Sequence, residues 1–285
     1  MEKLQVASHS QHYFTTVTNH QGPGHPSYFT TQEMDGVVLY WYDSRTQLLE
    51  IRAPWVKNTN LSLWSIDIME STHQLRMQNY LRAIMNYTNA SEGYHILQKI
   101  EGCTLHDNGS VASVLSEAYN GQRFTHFNPD TANWTTDIAS AQFYVDILNS
   151  NRTNNENIRD QLEKNCLVNL ELLLSAGNVT LSRREEPMLE VAQEPTSNTT
   201  MALHCRAYGH YPREISMSWY KNGQRVPDEE LERMTLPLPD TDFLSSLSVN
   251  VSPTPGDLYT CRVAHGSLNT PVTREWSEYK TWGSC

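Results

Sequence analysis

The stretch Tyr259-Thr260-Cys261-Arg262-Val263-Ala264-His265 decides how this protein is read. Cys205 lies 56 residues before Cys261, and Trp219 follows Cys205 by 14. A cysteine, a core tryptophan and a tyrosine two residues ahead of the partner cysteine mark a two-sheet sandwich stapled through its centre. Working backwards, Cys103 and Cys166 form a second set 63 residues apart. Two long loops closed in sequence order predict a protein of at least two parts, made in an oxidising compartment.

The sandwich is of immunoglobulin type, and a segment around Arg183-Arg-Glu-Glu-Pro187 reads as the linker into it. Upstream, Tyr13–Val17, Tyr28–Thr31 and Val37–Tyr42 are short β-rich runs separated by turn residues. After Pro54 the residues Trp64, Ile68, Leu75, Leu81 and Ile84 suggest a helical stripe. The same order returns, with strand-like segments from Tyr94 to Thr136 and a helical zone from about Asp137 to Ala176. Within that zone Ile158, Leu162, Cys166 and Leu170 recur every four residues. A bond from Cys103 on a strand to Cys166 on the second helix pins helix to sheet, worth about 4 kcal/mol on the chain-entropy account.

Bulk properties exclude several functions. A net charge of -11 over 285 residues opposes nucleic-acid binding. No run of apolar residues is long enough for a membrane span. Met1 to Ser8 lacks the apolar core of a secretion signal, so the expected form is secreted and unanchored, any signal having been removed. Asn-x-Ser/Thr sites occur at Asn60, Asn86, Asn89, Asn108, Asn133, Asn151, Asn178, Asn198 and Asn250, and together they predict a glycan coat. His9, His12, His20 and His25 cluster near the start without a cysteine or carboxylate at ligand spacing, so no metal is expected. With no nucleophile elbow, Walker loop or zincin motif, neither catalytic residues nor a cofactor are expected. Cys285 has no partner in this scheme, and its role stays open.

Particular motifs add a resemblance covering nearly the whole sequence. Ser8-His-Ser-x-x-Tyr13-Phe14, Arg52-Ala-Pro-Trp55, Asn89-Ala-Ser91-Glu92, Gly102-Cys103, Tyr119-Asn-Gly121, Trp134-Thr135 and Gly209-His-Tyr211-Pro212 resemble the MHC class I heavy-chain ectodomain. The resemblance implies an α+β fold: an eight-stranded antiparallel sheet under two helices, followed by a constant-type immunoglobulin sandwich. It divides the sequence into 1–92 and 93–184, the two halves of a platform, then 185–280, the sandwich, and 281–285, a tail.

Peptide-presenting members of that family hold the two charged ends of their ligand with side-chain hydrogen bonds. In this protein Tyr13 matches one of four amino-end tyrosines, while Leu63, Gln161 and Leu173 occupy the positions of the others. At the far end Tyr87 matches, but Ile147-Leu148 stands where a Lys-Trp pair is expected, and 138–151 holds no lysine or arginine. Three lost bonds amount to about 5 kcal/mol or more, roughly a thousandfold in affinity. The expectation is a narrowed or filled groove without peptide; a lipid pocket around Leu63 and Leu173 is the alternative.

The family's light chain, β2-microglobulin, packs beneath the platform. Glu33 replaces an underside tyrosine and Ser246 a tryptophan, so the light chain is expected to be dispensable. Trp41 falls on the same underside and is the candidate partner contact. A sugar-coated class I-like ectodomain with a dismantled groove is similar to the secreted class I-like proteins of yatapoxviruses and related poxviruses. That resemblance implies a mimic that binds and neutralises tumour necrosis factor by covering its receptor-binding surfaces. A decoy for natural-killer or other class I receptors, or a non-classical small-ligand carrier, are the alternatives.

Overall fold

The computed structural model describes residues 8–20, 25–59, 63–90, 92–197, 199–238 and 241–277, with the side chains of 63–67 excepted. Cys285, Asn60, Asn198 and the side chain of Leu63 therefore lie outside the described residues. The protein divides into two compact units, one ending at Asn178 and the other beginning at Val179.

The first unit is built on eight strands: β1 (His9–Thr18), β2 (Tyr28–Met34), β3 (Val37–Asp43), β4 (Leu49–Ile51), β5 (Ile96–Leu105), β6 (Val111–Tyr119), β7 (Gln122–Asn128) and β8 (Asn133–Thr135). They form one antiparallel sheet in the order β4-β3-β2-β1-β5-β6-β7-β8. Each half is a four-stranded meander, and the halves meet at the β1–β5 seam, where His12 lies opposite Gly102. A Cβ on Gly102 would collide with the backbone of Gln11 and His12, so only glycine allows this close approach.

Alternation along the strands sends one face to the helices. Tyr28, Thr30, Gln32 and Met34 of β2 are buried under them, and Tyr40 and Tyr42 of β3 point the same way. Helix α1 (Leu63–Tyr87) covers the first half of the sheet. Its buried side is Glu70, Met77, Leu81 and Ile84, a spacing of seven, four and three. Leu81 and Ile84 thus lie inward as the sequence pattern predicts. Ile68 and Leu75 do not: they are 47 % and 59 % exposed, because their helical phase turns them outward.

The second helical zone is segmented into α2 (Gln142–Asn149), α3 (Arg152–Asp160) and α4 (Cys166–Leu181), with a widened π-type turn at Gln161–Asn165. This resolves the four-residue repeat. In a regular α-helix residues four apart drift by roughly 40° per step. The wide turn returns the phase, so that Leu162, Cys166 and Leu170 all stay buried and Ile158 packs partly buried beside them. Cys166 opens α4 and is bonded to Cys103 of β5.

The second unit is a two-sheet sandwich. One sheet holds β9 (Met188–Pro195), β10 (Met201–His210), β13 (Leu231–Pro237) and β14 (Phe243–Val251). The other holds β11 (Ile215–Lys221), β12 (Gln224–Arg225), β15 (Leu258–His265) and β16 (Val272–Ser277). The Cys205–Cys261 bond joins β10 to β15 across the core, beside Trp219.

Two fully buried histidines close one end of that core. His210 Nδ1–H and His265 Nε2–H donate to the same carbonyl, that of Pro212, at 3.0 and 2.9 Å. Their rings are 5.2 Å apart, and Ser267 N–H donates to His265 Nδ1. Burial lowers both imidazoles below their ordinary range, with the Pro212 carbonyl only partly opposing it. A lowered histidine gives the folded state stability that is complete above the unfolded value of about 6.5 and is lost as pH falls below it. The melting temperature of this unit, followed by calorimetry, is therefore expected to fall by several degrees between neutral pH and pH about 5, and replacing His265 by Gln should flatten the dependence.

Candidate functional site

The groove between the helices, expected from sequence to be narrowed or filled, differs along its length. At the Tyr87 end, Met77, Leu81 and Ile84 pack directly onto Val17, Tyr42, Leu97 and Phe124 of the sheet and onto Tyr144 of α2. The Tyr87 ring lies flat against Phe143 of α2, with centroids 3.2 Å apart and planes 10° from parallel. Below it, Tyr80 meets Tyr144 edge-on at 6.0 Å. Leu148 turns inward onto this cluster, while Ile147 is 59 % exposed. This end is an aromatic bridge between helices, and no cation is present on 138–151 to meet a carboxylate.

The other half carries a buried polar network. Glu70 of α1 accepts from Tyr28 Oη at 2.8 Å and from Tyr40 Oη at 3.4 Å. His73 bonds Tyr28 Oη through Nδ1 at 3.0 Å. On the floor Lys99 Nζ pairs with Glu101 at 2.7 Å, while Glu117, which accepts from Thr125 at 2.9 Å, lies against Tyr144 of the aromatic end. Burial raises Glu70 and Glu117 above the usual carboxylate range. Burial would raise Glu101 too, but Lys99, with help from His73 and Arg76, brings it below that range. The His73 imidazole is pulled down by burial to about 3, so it is neutral at physiological pH. Tyr13 sits within this network, its phenol pushed up first by burial and then by Glu101 and Glu70.

Of the other groove positions singled out from sequence, Leu173 is fully buried. Gln161 is exposed at the start of the π-type turn and leaves the inward position to Leu162, which is 6 % exposed. The widening of the turn explains that reversal, since it rotates Gln161 away. Sequence reasoning misses the network itself. Glu70, His73, Lys99 and Glu101 are ordinary polar residues in the sequence, and only strand alternation on β5 could have paired Lys99 with Glu101 on one face.

On the opposite face of the sheet, Trp41 stacks on Phe29 with centroids 5.2 Å apart and planes 11° from parallel. Trp41 Nε1 donates to Asp43 at 3.2 Å. Burial works against ionisation of Asp43, but bonds from Arg45, Thr46 and Trp41 hold its carboxyl at about 2, so it stays a fixed acceptor. Phe14 on the same face is 38 % exposed. Glu33 lies half-buried there, at a bulge between β2 and β3. Beside the Phe29–Trp41 stack opens a cleft of about 410 Å³ lined by Thr16, Thr18, His20, Phe29, Tyr94 and Ile96. In the sandwich, Ser246 of β14 is 8 % exposed.

Of the N-terminal histidines only His20 and His25 come together, both lining the cleft under the sheet. His9 bonds Asp35 at 2.7 Å, His12 faces Phe14, and His20 faces Tyr94. Among the described residues no group of three metal-ligating side chains comes together. The sequon asparagines Asn86, Asn89, Asn108, Asn133, Asn151, Asn178 and Asn250 are exposed. Asn151 caps α3 by accepting from Asn154 N–H at 3.0 Å. None of the sequons falls on β1 to β7.

Comparison with known proteins covers both units. The profile "Class I Histocompatibility antigen, domains alpha 1 and 2" matches residues 7–181, and "Immunoglobulin C1-set domain" matches 188–268. Major histocompatibility complex class I-related protein 1 of Bos taurus is 32 % identical over 273 residues, covering 94 % of this protein and 81 % of the relative. The Patr class I histocompatibility antigen, CH28 alpha chain, of Pan troglodytes is 30 % identical over 282 residues, covering 96 % and 80 %.

Proposed function

The chain belongs to the class I histocompatibility antigen family, and from that premise we propose that it binds a host protein with its outer faces and presents no peptide. The Tyr87–Phe143 stack carries this reading, since it bridges the helices where a peptide's carboxylate would have to enter. Charge supports it: a carboxylate buried without a cation or donor is strongly disfavoured, and 138–151 offers no cation. Binding by surface complementarity needs no catalytic residue and no cofactor.

The partner surface in this reading is the underside of the sheet. Strands β1 to β7 carry no sequon, and Phe14, the Phe29–Trp41 stack and the adjoining cleft offer an aromatic anchor beside a pocket. The finer assignment rests on resemblance to poxviral class I-like proteins: a secreted mimic that covers trimeric tumour necrosis factor. Secretion belongs to the same resemblance; among the described residues no helix is long and apolar enough to cross a membrane. Glu33 and Ser246 in place of large aromatic anchors support independence from β2-microglobulin.

Size-exclusion chromatography of the glycosylated protein with tumour necrosis factor, with β2-microglobulin and with class I receptor ectodomains tests this. Co-elution with the cytokine alone is the expected result. Co-elution with a receptor or the light chain and not the cytokine would overturn it, as would a defined peptide eluted from native material.

A further inference from the structure

The segment that leads into the sandwich is fastened to it by one side chain. Arg183 sits over the Tyr211 ring, its Cζ 3.6 Å from the centroid, and Nη2 donates to the Thr241 carbonyl at 2.8 Å, to Thr241 Oγ1 at 2.9 Å and to Asp242 at 2.8 Å. Nη1 donates to the Thr180 carbonyl at 2.7 Å. Two residues on, Glu185 N–H donates to the Tyr211 carbonyl, and Tyr211 N–H donates to that of Glu185. The Arg183 side chain is 18 % exposed, whereas Arg184 is open to solvent. Arg183-Arg184 is thus a dibasic pair whose following peptide bond is withheld, because a protease needs an extended backbone with unpaired groups and those of Glu185 are taken. Cys103–Cys166 lies wholly before that bond and Cys205–Cys261 wholly after it, so neither disulfide would hold the fragments together.

The clamp shares its residues with the buried histidine pair. His210, Tyr211 and Pro212 are consecutive: Tyr211 holds the segment, and the Pro212 carbonyl takes both imidazole N–H groups. Phe243, next in sequence to Asp242, lies 6.0 Å from the His210 ring and 6.2 Å from that of Tyr211. With each imidazole neutral, His210 Nε2 accepts from Ser245 Oγ at 3.0 Å and His265 Nδ1 accepts from Ser267 N–H at 3.2 Å. A second proton on His265 sets one N–H against another, and charge on both rings places two cations with centroids 5.2 Å apart. Of the charged groups facing the pair, Asp242 ahead of β14 and Glu214 ahead of β11 favour an added proton, and Arg184 opposes it. Asp242 is already paired with Arg183. Protonation is accommodated by moving the 210–212 segment, and that movement carries Tyr211 away from Arg183 and Glu185.

We propose that Arg184–Glu185 is a proteolytic processing site, closed to trypsin-like proteases at neutral pH by the contacts of Arg183 with Tyr211 and Asp242, and opened in mild acid when His210 or His265 takes up a proton. The reaction is hydrolysis of that peptide bond: the hydroxyl of water goes to the Arg184 carbonyl carbon and its proton to the Glu185 nitrogen, which parts residues 185–285 from 1–184. No partner is needed, so the site stands or falls apart from the cytokine reading.

The intact glycoprotein is treated with trypsin at pH about 7.4 and about 5.5, the dose at each pH matched on a small arginine amide, and fragments are followed by mass spectrometry. Cleavage of a masked bond tracks the population of the open form. A histidine that gains its proton on opening raises that population about tenfold over this interval, so a fragment beginning at Glu185 should appear at least about tenfold faster in acid. His210→Phe combined with His265→Gln should abolish the acid response. Arg183→Gln keeps Arg184 and removes the clamp, so the same fragment should appear about tenfold faster already at neutral pH; this variant decides the matter if the histidine variant does not fold. Equal wild-type rates at the two pH values, an acid response that persists in the folded histidine variant, or an Arg183→Gln protein as resistant at neutral pH as the wild type would overturn the proposal. Cuts that spread in acid to Arg206 of β10 and Arg262 of β15 would overturn it too, since they mark general unfolding.

Discussion

Trp41→Ala is expected to lower affinity for the protein partner by about 30-fold or more, the loss associated with truncating an aromatic anchor worth about 2 kcal/mol. Three features make this residue the anchor. Its ring is held in place by the Phe29 stack and by the Nε1–Asp43 bond, so little rotamer freedom remains to be lost on binding. It stands beside the 410 Å³ cleft under the sheet. Its face of the sheet is free of sequons on β1 to β7. The control comes from the roof, where Met69 and Leu75 of α1 are 67 % and 59 % exposed and would be the natural apolar contacts for a partner that docks on the helices. Met69→Ala and Leu75→Ala should leave affinity within about twofold. Biolayer interferometry on the glycosylated protein reads both; an inert Trp41 and a sensitive Met69 or Leu75 would move the interface to the helices and remove the argument for the underside.

Trp219→Ala should destabilise the sandwich by about 3–5 kcal/mol, the range for emptying a tryptophan site in a packed core. The residue is fully buried on β11 directly opposite Cys261, and its indole N–H reaches across the core to the Leu247 carbonyl of β14 at 3.0 Å. The substitution therefore leaves a cavity between the sheets and a buried carbonyl without its donor, two losses that add. For a unit of this size the melting temperature should drop on the order of 15 °C or more. Trp219→Phe, which keeps most of the volume but not the donor, should fall between. Calorimetry resolves the test, and a shift of only a degree or two for the alanine variant would mean that the disulfide alone holds the sheets together.

Much of the architecture was legible from residue spacing because it depends on local rules. The cysteine, tryptophan and tyrosine positions around Cys205 and Cys261 determined a sandwich, and the repeated order of strands then helix determined a platform in two halves. Inward positions on the strands followed from alternation, so the opposite directions of Tyr42 and Trp41 could be read from sequence alone. Helical phase was less readable. Ile68 and Leu75 looked like part of a buried stripe, yet the face that meets the sheet is set by Glu70, Met77, Leu81 and Ile84. Gln161 similarly left the groove because a π-type turn, invisible to a fixed period, rotates it outward.

The tertiary structure alone decided the chemistry of the groove. Tyr28, Tyr40, Glu70, His73, Lys99 and Glu101 come from two strands, a helix and the central seam, and nothing in their spacing marks them as one network. The stack of Tyr87 on Phe143 joins residues of two separate helices in the same way. Periodicity encodes which side of an element is buried, because that depends on neighbours along the sequence. Which polar groups meet under that surface depends on how distant elements pack, and packing is determined by the whole fold at once.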